Sequence, residues 1–159
     1  CGDVDPVYAV VAEVSTRSID PSRRPTAIGS DEQNVEALYS KNPQIKRLLS
    51  TEFRSLVVAH AFEGDIRFYL SPTPTKIHDF VCECTTQEIL NLRGPSEFLP
   101  VLLNSPIGSP DDVTAYFLRR VSQTQPDPDS YLLEAGRQLA VLLNGQLHRL
   151  NGILRRISP

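Results

Sequence analysis

Hydrophobic and polar positions alternate with two different periods along the chain, and the change of period divides it. Residues 6–14, Pro-Val-Tyr-Ala-Val-Val-Ala-Glu-Val, are β-branched and aromatic enough to predict a strand. Residues 15–29 hold Pro21 and Pro25 and little apolar content, which predicts a loop. Ser30-Asp31-Glu32-Gln33 has the spacing of a capping box and opens a helix to about Ser40. Asn42-Pro43 starts another, with Ile45, Leu48 and Leu49 as its apolar side. Phe53 to Phe62 then reads as a long apolar strand, central in its sheet and covered on both faces. A turn at Glu63-Gly64-Asp65 leads to an alternating strand over 66–71, and Lys76 to Cys84 reads as a third strand.

From Thr85 onward the period is helical. Thr85-Thr86-Gln87-Glu88 is a second capping box, and Gly94-Pro95 stops the helix it opens. Ser96 caps a short helix through Leu103. Ser109-Pro110-Asp111-Asp112 combines a cap, Pro at the first helical position and acids at the positive end of the dipole. Gln123 to Ser130, with Pro126 and Pro128, is a polar connector to a last helix beginning near Tyr131.

That last helix carries the clearest pattern. With Leu147 at heptad position a, Leu133, Ala140, Leu147 and Leu154 share a; Gly136, Leu143, Leu150 and Ile157 share d. The four–three alternation predicts one narrow buried stripe on a single helix through Ile157. Two heptads nearly repeat, and they place Gly145 and Gly152 at outer positions, each costing about 1 kcal/mol of helix propensity relative to Ala. Such a helix depends on packing, either on its own domain or on a partner.

These elements predict an α+β fold: a small, mostly antiparallel β-sheet flanked by helices, with a long C-terminal amphipathic helix. Residues 1–124 form the α+β domain; 125–159 form the Pro-marked connector and the leucine-rich helix. The chain has 159 residues, 40% of them hydrophobic and 22% charged, and no Trp or Met. That is enough to bury a core without a metal or disulfide staple. No stretch approaches the ~20 apolar residues of a membrane-spanning helix.

Charge separates the two parts. Residues 135–159 hold Arg137, Arg149, Arg155 and Arg156 and no acid, whereas the rest of the chain is acidic enough to leave a net charge of −3. An acidic chain argues against nucleic acid. The basic end is suited to an anionic partner, a membrane surface or the acidic body of the same chain.

The candidate chemistry is sparse. The motifs of α/β-hydrolases, P-loop enzymes, dinucleotide-binding folds and zinc peptidases are all absent, so the sequence predicts no enzyme and no cofactor. His78, Phe80, Cys82 and Cys84 alternate and would share one strand face, with His60 on a neighbouring strand. Two thiolates and two imidazoles suit tetrahedral zinc. A flat Cys-x-Cys strand nevertheless holds its sulfurs about 6–7 Å apart, and a buried core face explains the same residues. Three cysteines, two of them close together on one strand, predict no disulfide framework.

A chain that opens Cys1-Gly2-Asp3 resembles the processed N-terminus of bacterial lipoproteins. The resemblance implies acylation at Cys1, a membrane anchor, and a periplasmic or surface location in a bacterial cell envelope. Together these expectations describe a non-enzymatic interaction or assembly subunit. It would bind a protein partner, or a second copy of itself, through residues 131–157. Leu143, Leu147, Leu150, Leu154 and Ile157 would make the apolar contact, and Arg149, Arg155 and Arg156 the polar one. The alternatives are a thiol- or zinc-dependent protein using the 78–84 strand, and a cytosolic dimeric chaperone or adaptor.

Overall fold

The computed structural model describes residues 5–19, 48–92 and 94–158. The helices expected over 30–40 and from Asn42 lie outside these residues, apart from the end of the second at Leu48 and Leu49. Leu49 opens a strand instead.

The fold is α+β. A three-stranded antiparallel sheet has the order β1 (Val7–Ser18), β2 (Leu49–Phe62), β3 (Asp65–Arg67). Five α-helices follow among the described residues: α1 (Thr86–Asn91), α2 (Leu99–Leu103), α3 (Pro110–Ser122), α4 (Pro128–Leu142) and α5 (Leu147–Ile157). The chain divides into two compact units, residues 13–54 and residues 1–12 with 55–159.

Both long strands run further than their composition predicts. β1 continues to Ser18 through a stretch read as loop, because its backbone groups find partners on β2. Ile19 N–H donates to Leu48 C=O at 2.9 Å within residues 13–54, and Ala61 N–H donates to Pro6 C=O at 2.9 Å within the other unit. Within residues 13–54, Arg54 pairs with Glu13 at 3.1 Å and Arg17 with Glu52 at 3.5 Å. These cross-strand pairs are exposed and contribute little each, about 0–1 kcal/mol.

β2 is the central strand, as its composition predicts, but only Val58, Ala59 and His60 are fully buried; Phe62 is about half exposed. The hairpin to β3 turns on Glu63 and Gly64, both at positive φ (51° and 86°), the two-residue geometry that matches strand twist. Phe62 then faces Asp65 and His60 faces Arg67.

The third expected strand, Lys76 to Cys84, is absent. Residues 68–85 form a long connection without regular secondary structure. His78 there adopts φ 67°, a left-handed conformation that interrupts strand geometry. Alternation alone did not supply a neighbouring strand to pair with.

The helical starts obey the local code. Thr85 and Glu88 form a complete capping box: Glu88 N–H donates to Thr85 Oγ1 at 3.2 Å, and Thr85 N–H donates to the Glu88 carboxylate at 2.7 Å. The Thr85 backbone N–H, together with the Thr85 hydroxyl, which donates to Glu88 Oε2 at 2.7 Å, holds the Glu88 carboxyl below the usual carboxylate range. Ser109 differs from expectation in detail. Its hydroxyl donates to Asp112 Oδ2 at 2.7 Å instead of capping a backbone amide.

The core of the larger unit gathers Tyr8, Val10, Val58 and Ala59 from the sheet and Phe98, Leu99, Leu102 and Leu103 from α2 and its entry. Ala115 and Leu118 join from α3, Ala135 and Leu139 from α4, Leu143 just beyond it, and Ile153 and Ile157 from α5. Phe98 meets Phe117 edge-to-face at 5.0 Å. Gly108 is required where the α2–α3 connection meets β1. At φ 66°, a Cβ would overlap the Ala12 carbonyl oxygen.

One core position is chemically mismatched. Thr114 is fully buried on α3 and its Oγ1 has no hydrogen-bond partner. A buried hydroxyl without a partner carries its desolvation cost uncompensated. Thr114→Val is expected to stabilise the protein by about 1 kcal/mol, a rise in Tm of about 2–4 °C. Calorimetry of the two proteins checks this, and a lower Tm for the variant would contradict it.

Candidate interaction surface

The C-terminal helix, expected from near Tyr131, begins earlier, at Pro128, inside the stretch read as a connector. Asp127 caps α4, accepting a hydrogen bond from Ser130 N–H at 3.0 Å, and Pro128 stands in the first turn where it loses nothing. The single helix expected through Ile157 is, however, divided. α4 ends at Leu142, residues 143–146 turn, and α5 begins at Leu147. Gly145 takes φ 80° in the turn, and Gln146 N–H donates to Leu143 C=O at 2.8 Å. Its heptad counterpart Gly152 stays helical. The weak propensity of Asn144-Gly145 is therefore resolved by a turn, which lets α5 pack back on α3 and α4.

The turn splits the leucine stripe. Position d goes inward: Leu143 and Ile157 are buried, and Gly136 and Leu150 are half-buried. Position a stays largely outside. Leu133 is 58% and Leu147 68% exposed, Ala140 is exposed, and Leu154 alone is half-buried. Val141 adds another exposed side chain at 73%. Between α4 and α5 lies an open groove of about 200 Å³, lined by Leu132, Leu133, Leu154 and Ile157 with Asp129 and Ser158.

The arginines named from sequence are placed unevenly. Arg149 grips Asp111, with Nη2 donating to Oδ1 at 2.6 Å and Nε to Oδ1 and Oδ2 at 3.1 and 3.2 Å. It also donates from Nη1 to Gln146 Oε1 at 2.8 Å and from Nη2 to the Leu103 carbonyl at 3.3 Å. Hydrogen bonding to Asp111 pushes the guanidinium further above its ordinary pKa. Arg156 pairs with Asp112 at 2.9 Å. Arg155 is exposed and makes no ion pair among the described residues. The basic end thus meets the acids at the start of α3. Sequence reasoning assigned Asp111 and Asp112 to the helix dipole and missed their second role. The charge asymmetry of the chain was the signal that could have found it.

The residues considered for metal or thiol chemistry are not gathered into a site. His60 is buried on β2, its Nδ1 3.0 Å from the Tyr69 carbonyl oxygen and its ring edge-on to Tyr69 at 5.0 Å. His78 is exposed on the long connection. Cys82 is disulfide-bonded, which the odd cysteine count did not lead us to expect; an odd count excludes complete pairing, not a single bond. Among the described residues no group of three or more His, Cys, Asp or Glu converges to hold a metal ion. No described helix is long and apolar enough to cross a membrane. The lipidation candidate Cys1 lies outside the described residues.

Cys84 is a free, half-buried thiol. Burial pushes its pKa up, and the neighbouring Glu88 and Glu83 carboxylates push the same way, since each disfavours the thiolate. Its alkylation by iodoacetamide is therefore expected to be slow at pH 8. The rate should keep climbing above the ordinary thiol value of about 8.5, because the reactive thiolate forms only there. Peptide mapping after labelling from pH 7 to 10 reads this directly. A rate at Cys84 that levels off below pH 8.5 would contradict the assignment.

No protein-family model, curated protein or solved structure matches this chain.

Proposed function

We propose that this chain is a non-enzymatic interaction or assembly subunit that binds a protein partner through the surface of α4 and the start of α5. The observation that carries the reading is the exposure of Leu133, Val141 and Leu147, large apolar side chains on elements whose other faces are packed. Isolated exposed leucines are ordinary, but three large apolar side chains on two successive helices, one of them (Leu133) lining an apolar groove, suit a protein contact.

The test separates binding from folding. Leu133→Asp with Leu147→Asp alters exposed positions, so unfolding free energy should change by no more than about 0.5 kcal/mol per site. Sedimentation of the purified chain reads self-association. A photo-crosslinker at position 141, exposed on the same surface and left free by both substitutions, reads a different partner in the organism that makes the protein. The expected result is a dimer or one discrete adduct that the double variant abolishes. A monomer at all concentrations, with no adduct from position 141, would end the proposal.

A further inference from the structure

We draw no further inference here: the strongest candidate, the exposed apolar side chains of Ile77, Phe80 and Val81 on the long connection between β3 and α1, is an unpartnered surface, and nothing in the structure shows what covers it.

Discussion

Replacing Arg149 by Met is expected to lower the unfolding free energy by about 2–3 kcal/mol. The guanidinium joins three parts of the chain: the Asp111 carboxylate at the start of α3, the Leu103 carbonyl at the end of α2, and Gln146 just before α5. Both side chains of the Arg149–Asp111 pair are only about a quarter exposed, so water restores little of what the substitution removes. Met keeps most of the aliphatic volume, so the loss reports the polar contacts. The sharper measurement is a double-mutant cycle in urea. Asp111→Leu added to Arg149→Met should recover part of the loss, because the stranded carboxylate goes with it. A single-variant loss below about 0.5 kcal/mol would reduce the pair to an ordinary surface contact.

Phe98→Ala should cost more, about 3–5 kcal/mol. Phe98 is 2% exposed, leads into α2, and stands edge-to-face on Phe117. Truncation leaves a cavity beside the Phe117 ring, and a close-packed interior relaxes only partly into it. At about 2–4 °C per kcal/mol for a chain of this size, Tm should fall by roughly 10 °C. Thermal unfolding followed by circular dichroism measures it. Phe98→Leu should lose far less, since it keeps most of the apolar volume. Equal losses in the two variants would mean that ring geometry, not cavity volume, sets the cost.

Where the determinants of structure were local, the sequence was legible. The Thr85–Glu88 capping box, the Ser109-Pro110 start and the Glu63-Gly64 turn each need only neighbours within a few residues, and each stands where it was read. The segment 76–84 failed for the opposite reason. Its alternation satisfies a strand only if another strand lies alongside, and that neighbour is a property of the whole fold. The heptad stripe was misleading in the same way. Leu143 to Ile157 keeps its spacing whether the helix is continuous or folded, and the cheapest place to fold was Gly145. The tail's charge asymmetry was visible from composition, but its destination at Asp111 and Asp112 needed the tertiary structure. Of the proposed contact residues, Leu147 stands at the surface, Leu150 and Leu154 are half-buried, and Leu143 and Ile157 are spent on the core.

The turn of the tail onto its own acids bears on how fast another protein could arrive there. Arg149 and Arg156 face Asp111 and Asp112, and Arg137 lies 3.8 Å from Glu134, which leaves Arg155 as the one of the four without an acidic partner among the described residues. Paired in this way, the tail's own positive charge exerts little pull at a distance. A molecule docking on Leu133 and Leu147 would come by unassisted diffusion, near 10⁵–10⁶ M⁻¹s⁻¹ as an order of magnitude, and its on-rate would scarcely respond to ionic strength.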